Sequence, residues 1–208
     1  MSIEELVWQC LESAILRFNK SCDNRSLLCP RCNQPKSKTD AAAASERAIA
    51  HRLAFYLESE LRRVSAIGDA GPVVVDCEYN RHIAAGKSLS AEAAAEIKKI
   101  VKAARRKELE ADEDGFYVFS VAPDIVVHQR RTDVNNLLVV EIKKRSNPET
   151  EKYDKLKLEL FTRSKEDEKG FGYRFGAWVV AEDERHPDER ELRIIAQYQN
   201  GEGKVPAA

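Results

Sequence analysis

The feature that most constrains the fold of this chain is a pair of charged residues inside an otherwise apolar segment. Residues 137–143 read LLVVEIK, and a short apolar run of this kind is typical of a buried strand. Because side chains alternate across a strand, Glu141 and Lys143 share one face and Ile142 points to the other. Ionised groups at such positions are costly to desolvate unless they are paired or bind a metal ion. We therefore expect this strand to carry a site as well as part of the core.

A second acid is expected close to this strand. Asp124 follows Pro123 and opens the apolar segment 125–127, which ends a longer predicted strand. Turn-forming residues at 133–136 connect the two strands, so a hairpin is predicted. That hairpin would bring Asp124 beside the face that carries Glu141.

A third acid lies on a predicted helix. The alanine-rich segment after Asp40 has high helix propensity and Asp40 is a good N-terminal cap, so we expect a helix from about 40 to 64. Glu46 lies at helical spacing from the apolar stripe of this helix and would face the sheet. The stripe consists of Ile49, Leu53, Tyr56, Leu57, Leu61 and Val64.

The rest of the chain shows further helical and strand patterns. Ser2 and Glu5 have the spacing of a capping box at the start of an amphipathic helix. The pattern predicts an N-terminal helical arm with a cysteine-containing loop at 1–39, one α/β domain at 40–200 and a flexible tail at 201–208. We expect helices at about 2–18, 40–64, 90–111 and 149–163, and strands at about 73–79, 116–128, 137–143, 173–181 and 191–198.

Composition excludes several classes of protein. Of the 208 residues, 43% are hydrophobic and 33% are charged, which is ordinary for a globular chain and untypical of a disordered or fibrous one. Since 34 basic and 35 acidic side chains give a net charge of -1, net charge alone is no argument for nucleic-acid binding. The start, MSIEELVWQC, lacks the pattern of a signal peptide, and no apolar run is long enough to cross a membrane. We expect a cytoplasmic protein without a membrane partner.

The predicted carboxylates indicate a hard metal ion. Mg²⁺ prefers oxygen ligands and is commonly bound by one or two carboxylates together with substrate phosphate. Lys143, two residues after Glu141, can orient a water molecule or neutralise charge on a phosphate. Together these groups indicate metal-assisted hydrolysis of a phosphodiester. Acyl transfer is not indicated, because no Ser or Cys has an evident partner base.

These residues resemble the signature of the PD-(D/E)xK nuclease superfamily, which has the restriction-endonuclease-like fold. The resemblance rests on Pro123 and Asp124, a spacer of sixteen residues, and the tripeptide at 141–143. The stretches SERAIAHRLAFYLE, VDCEYNRH, PDIVVH and NLLVVEIKK also resemble a group of uncharacterised bacterial nuclease-like proteins. The resemblance implies an α/β fold with a mixed central sheet flanked by helices, on an αβββαβ core over about residues 40–181.

The resemblance also implies a role for each residue of the motif. Asp124 and Glu141 would be catalytic metal ligands, with the backbone carbonyl of Ile142 as a further ligand. Lys143 would be the catalytic lysine, and Glu46 would be the additional catalytic and metal-binding acid from the first core helix. The implied activity is that of a Mg²⁺-dependent endodeoxyribonuclease that hydrolyses DNA, with Mn²⁺ as a substitute for Mg²⁺.

Other interpretations stay open at this point. An ordinary charged pair on a surface hairpin would give the same short motif, and a catalytically silent module with this fold would bind nucleic acid or a partner protein without turnover. RNA is an alternative substrate. No separate sequence-reading motif is evident, so a homodimer or a partner protein would supply target choice. The Gln that exonuclease members often carry on the helix after the motif is absent, which favours an endonuclease.

Basic residues suggest where substrate phosphates would bind. The predicted helix at 90–111 carries a basic stripe, which is either a face that follows a phosphate backbone or a solvated surface. Lys144 directly follows the motif, and Lys155 on the next predicted helix is the preferred substrate contact. Arg145, Lys152 and Lys157 also lie just beyond the motif, where they would flank a scissile strand. The stripe consists of Lys98, Lys102, Arg105 and Arg106.

The cysteines raise the question of a structural metal. Five cysteines are an odd number in a chain without an export signal, so free thiols or a metal site are expected rather than disulfides. Cys29 and Cys32 are spaced as half of a zinc knuckle, with Cys22 and Cys10 as the nearest further ligands. Because only one such pair is present, structural Zn²⁺ and free thiols in a loop remain alternatives.

Overall fold

The computed structural model describes residues 2–21, 24, 27–28, 44–64, 73–79, 81–82, 85–86, 122–132, 134–148, 151–166, 170–183 and 189–205. The helix predicted at 90–111 lies outside these residues, together with its stripe of Lys98, Lys102, Arg105 and Arg106. Cys22, Cys29 and Cys32 lie outside them as well. Within the described ranges, no helix is both long enough and apolar enough to cross a membrane.

The described residues include three helices and eight strands, which confirms a mixed α/β class. The helices are α1 (Ile3–Lys20), α2 (Glu46–Arg63) and α3 (Glu151–Thr162). The strands are β1 (Val73–Cys77), β2 (Arg81–His82), β3 (Ala85–Gly86), β4 (Ile125–Gln129), β5 (Leu138–Lys144), β6 (Phe175–Ala181), β7 (Leu192–Gln199) and β8 (Glu202–Lys204).

Six of these strands form one mixed sheet in the order β1-β4-β5-β6-β7-β8. All neighbours in this sheet are antiparallel except β5 and β6, which are parallel. Helix α3 lies between β5 and β6 in the chain, since parallel neighbours need a crossover that leaves the sheet. β2 and β3 pair with each other in a separate two-stranded sheet.

Helices α1 and α2 pack on each other and on one face of the sheet. Side-chain caps fix where both helices begin. Ser2 and Glu5 form the predicted capping box, and the Ser45 side chain accepts a hydrogen bond from the N–H of Ala48. The core between these helices and the sheet includes Leu11, Phe18, Leu53, Leu57, Val127, Val140 and Val179.

Helix α3 covers the opposite face of the sheet. Strand alternation puts Val126, Val139 and Trp178 on this side, where they pack with Leu158 and Phe161 of the helix. β5 is consequently buried along its whole length. Its charged residues must therefore be satisfied by protein groups or by a ligand.

Two element boundaries differ from the sequence prediction. The second helix begins at Glu46 rather than near Asp40, because Ser45 is extended and its side chain supplies the cap. Strand β4 begins at Ile125, and residues 122–124 precede it without strand structure. As a result, Glu46 is the first residue of its helix and Asp124 directly precedes its strand, so neither acid lies in the interior of an element.

The C-terminal segment differs as well. A flexible tail is expected at 201–208, whereas residues 202–204 form β8 and pair with β7. Asn200 and Gly201 have positive φ angles of 53° and 79°, which turn the chain back onto the preceding strand. The short hairpin therefore depends on two adjacent left-handed residues that Asn and Gly adopt readily.

The buried face of α2 allows a test of this packing. Leu53 is fully buried against the sheet, so Leu53→Ala leaves a cavity and is expected to lower the free energy of unfolding. The expected loss is about 2–5 kcal/mol. Phe55 is 55% exposed on the same helix, so Phe55→Ala is a matched control with an expected change below about 1 kcal/mol. Chemical denaturation followed by circular dichroism measures both values, and equal losses would contradict the orientation of α2.

Candidate functional site

The hairpin of β4 and β5 brings two of the predicted acids together. Its register pairs Ile125 with Val140, so the next position outward sets Asp124 opposite Glu141. The N–H of Ile142 donates a hydrogen bond of 2.7 Å to Asp124 Oδ2, which holds this carboxylate at the end of the hairpin. The predicted hairpin and the neighbourhood of Asp124 and Glu141 are thus confirmed.

Glu141 is almost completely buried, with 1% of its surface exposed. Its Oε2 atom accepts a hydrogen bond of 2.6 Å from Lys157 Nζ of α3. Its Oε1 atom has no hydrogen-bond partner among the described residues. An unpartnered carboxylate oxygen inside a protein is costly, so this atom is a position where a ligand is expected.

Lys143 lies on the same strand face as Glu141 and links two further acids. Its Nζ atom is 3.2 Å from Glu46 Oε1 and 3.7 Å from Asp154 Oδ2. Glu46 also accepts a hydrogen bond of 3.1 Å from the N–H of Lys144, which ties the start of α2 to the end of β5. The prediction that Glu46 faces the sheet is therefore confirmed.

Four carboxylates and two ammonium groups meet at this end of β5. The acids have two more ionisable charges than the lysines can balance, and two is the charge of Mg²⁺ or Mn²⁺. A deficit of positive charge in a buried site favours binding of a cation. We call this set the carboxylate cluster; it consists of Asp124, Glu141, Glu46, Asp154, Lys143 and Lys157.

The proton affinities in the carboxylate cluster reflect this crowding. Burial raises the pKa of Asp124 to about 6, although the charge of Lys157 and the N–H of Ile142 lower it. Burial also raises the pKa of Glu141 well above its usual value, and the charges of Asp124 and Asp154 add to this effect. The pKa of Lys157 is raised overall, because the surrounding carboxylates outweigh the opposing effect of burial. Additional positive charge beside Asp124 and Glu141 would therefore favour their ionised forms.

The sequence analysis does not predict Asp154 as a member of the site, and it places Lys157 only among the basic residues that would flank a substrate strand. They lie on the same side of α3 as Leu158 and Phe161, at a spacing of three, four and seven residues from Asp154. This spacing is the signal in the sequence that identifies them as inward-facing.

The predicted substrate lysines contact other groups. Lys155 is partly exposed, lies 2.5 Å from Glu151 and is 5.7 Å above the ring of Trp178. Lys144 is buried, and its Nζ atom donates a hydrogen bond of 3.3 Å to the carbonyl of Ala44. Neither ammonium group is seen to contact the carboxylate cluster, so their roles as substrate contacts stay predictions.

Cys10 is poorly suited to the zinc role that its sequence neighbourhood suggests. It is buried in the core on α1 and forms no disulfide. Burial, with a smaller effect of the Glu60 charge, raises the pKa of its thiol to about 11. Zinc binding requires a thiolate, which this environment disfavours.

A second group of charged residues, on β1 and β4, is fully paired. Asp76 accepts hydrogen bonds from Arg130 on both of its oxygens, one of them at 2.8 Å, and its Oδ2 is 3.0 Å from His128 Nε2. The bond from Arg130, followed by that from His128, lowers the pKa of Asp76 and outweighs the effect of burial. Because both oxygens of Asp76 have partners, this group is complete without a ligand, unlike Glu141.

Comparisons with known proteins add no assignment to this geometry. No protein-family model, no curated protein and no solved structure matches the chain. Among the described residues, no three His, Cys, Asp or Glu side chains are arranged as a ready metal-binding group. In the carboxylate cluster, the lysines lie between the acids.

The Asp76 pair predicts a dependence of stability on pH. The pKa of Asp76 is lowered in the folded protein, so the pair stabilises the fold above the ordinary value of 3.8 and less so as the pH falls through the folded-state pKa. Asp76→Asn is expected to reduce the free energy of unfolding by about 1–3 kcal/mol at neutral pH. The difference from the unaltered protein should shrink below about pH 4.

Chemical denaturation across this pH range measures the effect. Glu202→Gln neutralises an exposed carboxylate of β8 and serves as the control, with no expected loss at neutral pH. A difference between Asp76→Asn and the unaltered protein that stays constant down to about pH 3 would show that the Asp76 charge does not stabilise the fold.

Proposed function

We propose that this protein is a divalent-metal-dependent endonuclease of the restriction-endonuclease-like fold that hydrolyses DNA. The observation that carries the proposal is the buried Oε1 atom of Glu141, which has no hydrogen-bond partner among the described residues and lies beside Asp124. Surplus carboxylate charge at the end of a buried strand, next to Lys143, is the arrangement expected for metal-assisted phosphodiester hydrolysis.

The order of elements supports the proposal. Among the described residues, a helix (α2), three antiparallel strands (β1, β4 and β5), a crossover helix (α3) and a parallel strand (β6) occur in this order, with the separate pair β2 and β3 between β1 and β4. This is the αβββαβ order that the resemblance of the motif to PD-(D/E)xK nucleases implies. The acid-x-Lys motif lies on the last antiparallel strand before the crossover, as that resemblance requires.

The residues of the carboxylate cluster fit a divalent metal ion in their chemistry. All four acids offer oxygen, the ligand that Mg²⁺ and Mn²⁺ prefer. Asp124 and Glu141 would hold the ion, with Glu46 and the carbonyl of Ile142 as further ligands. With all four acids ionised, the cluster would carry two more negative than positive charges, which matches the charge of the ion. When bound, such an ion acts as a Lewis acid on the phosphate and lowers the pKa of a water ligand.

The protein groups would position the reactants around this ion. Lys143 is held within 3.7 Å of both Glu46 and Asp154, so its ammonium is oriented by two acids and can donate a hydrogen bond to a phosphate oxygen or to the attacking water. In-line attack would leave a 5′-phosphate and a 3′-hydroxyl, which the family resemblance implies. Lys155 and Lys144 remain the proposed phosphate contacts outside the cluster.

A cleavage assay tests the proposed function. The unaltered protein is expected to cleave DNA with Mg²⁺ or Mn²⁺ and to lose this activity in EDTA. Glu141→Gln and Lys143→Met should each lower the cleavage rate by about 100-fold or more, because each removes a charge from the reaction centre. Glu58→Gln makes the same chemical change as Glu141→Gln at an exposed ion pair of α2 and should keep full activity. Circular dichroism confirms that each variant is folded.

The substrates in the assay separate the proposal from its alternatives. Supercoiled plasmid, linear duplex, single-stranded DNA and RNA are compared, and cleavage of RNA alone would replace DNA as the substrate. Full cleavage by Lys143→Met would contradict the mechanism. If DNA binding is unchanged by EDTA and by Glu141→Gln, and no folded form cleaves DNA, the protein is a binding module rather than an enzyme. Addition of a partner or dimerisation would then be tested as a source of activation.

A further inference from the structure

Lys157 is a buried cation in the middle of the acids that would hold the metal. Its side chain is 8% exposed, and its Nζ atom lies 2.6 Å from Glu141 Oε2. The same Nζ atom is 3.2 Å from Asp154 Oδ1, one helical turn earlier on α3. The ammonium therefore has two carboxylate partners, and one of them is the proposed metal ligand.

A divalent cation bound to Glu141 would lie close to this ammonium. Like charges at such separations repel strongly inside a protein, where water screens them little. The free Oε1 atom of Glu141 would take the ion while Lys157 holds Oε2, so the two cations would share one carboxylate and repel each other. Metal binding at Glu141 and the hydrogen bond from Lys157 are therefore in competition.

We propose that Lys157 is a positioning residue that neutralises Glu141 in the metal-free protein and transfers its hydrogen bond to Asp154 when the metal ion binds. This inference rests on the proposed function, because it takes Glu141 as a metal ligand. It assigns Asp154 the role of the acid that keeps Lys157 paired in the metal-bound state. The consequence is that Lys157 weakens metal binding while it stabilises the metal-free fold.

The geometry of α3 makes this exchange a side-chain movement. Asp154 is already within 3.2 Å of Lys157 Nζ, so the ammonium keeps a buried partner without any shift of the helix. A lysine stem has four flexible carbon–carbon bonds and three donors, so it can leave one carboxylate and retain the other. Asp154 also lies 3.7 Å from Lys143, which links the exchange to the proposed catalytic lysine.

A purely structural ion pair makes a different prediction. If Lys157 only stabilised the fold, its removal would lower stability and would leave the affinity for metal ions unchanged or reduce it. If Lys157 competes with the metal, its removal lowers the stability of the metal-free protein and increases metal affinity. The two roles are therefore separated by the direction of the change in metal affinity.

Direct measurement of Mn²⁺ binding by isothermal titration calorimetry tests the inference without an activity readout. Lys157→Met, which keeps the unbranched stem except for its last atom and removes the charge, is expected to bind Mn²⁺ at least about tenfold more tightly than the unaltered protein. Mn²⁺ should also raise the melting temperature of this variant by more than that of the unaltered protein. Lys157→Arg keeps the charge and should not gain affinity.

Two further variants make the test decisive. Lys152→Met removes an exposed lysine from the same helix and controls for the overall change in charge; its Mn²⁺ affinity should stay unchanged. Lys157→Gln serves if Lys157→Met does not fold, because the amide can still donate a hydrogen bond to Glu141. It carries no charge, so it should also gain affinity, but by less than Lys157→Met because its amide can keep the bond to Glu141.

The outcomes distinguish the inference from the proposed function. If the unaltered protein binds Mn²⁺ and neither Lys157→Met nor Lys157→Gln binds it more tightly, Lys157 does not compete with the metal, although the proposed metal site would still be supported. No Mn²⁺ binding by the unaltered protein or by either variant would overturn both. Tighter binding by the neutral variants, with Lys157→Arg and Lys152→Met at the original affinity, would establish Lys157 as the competing cation.

Discussion

The antiparallel register of β4 and β5 is the constraint on which both the core and the carboxylate cluster depend. Because side chains alternate along a strand, a shift of one residue would turn Glu141 towards α1 and α2 and bring Ile142 into the cluster. Two contacts fix this register. The N–H of Ile142 donates to Asp124 at the open end of the hairpin, and Val126 pairs with Val139 closer to the turn. The same contacts thus set the apolar packing and the place of the acids.

The carboxylate cluster adds little to stability by itself. Moving an ion pair from water into the protein costs about as much free energy as the attraction between its charges provides. The raised pKa values of Asp124 and Glu141 also mean that folding disfavours their ionised forms. Burial of apolar side chains on both faces of the sheet, including Phe161 and Trp178, offsets this cost. Four acids around one strand end therefore need a reason other than stability, and the proposed binding of a cation would supply one.

Sequence patterns predicted those features that depend on local periodicity. Alternation in residues 137–143 was sufficient to predict a strand with Glu141 and Lys143 on one face, and helical spacing was sufficient to turn Glu46 towards the sheet. The burial of Lys157 among the acids was not predicted, because a lysine on a helix is usually solvated and its burial here depends on contact with β5. β8 was missed for a related reason, since three residues with little apolar character form a strand only after the turn brings them to β7.

Contacts between the chain ends of β5 and β6 hold the backbone beside the carboxylate cluster, so the proposed change of partner by Lys157 needs no rearrangement of the backbone. The chain leaving β5 is tied to the chain leaving β6: Arg145 donates to both oxygens of Glu182, at 2.8 and 3.2 Å, and the N–H of Ser146 donates to Asp183 at 3.0 Å. Strand ends fixed in this way restrict the positions of the acids, as the proposed metal site would require. Lys157 reaches them from the crossover helix on a flexible stem. Any change in how the acids are neutralised is therefore most easily made by the lysine, because its stem can move while the strands that carry Asp124 and Glu141 remain in place.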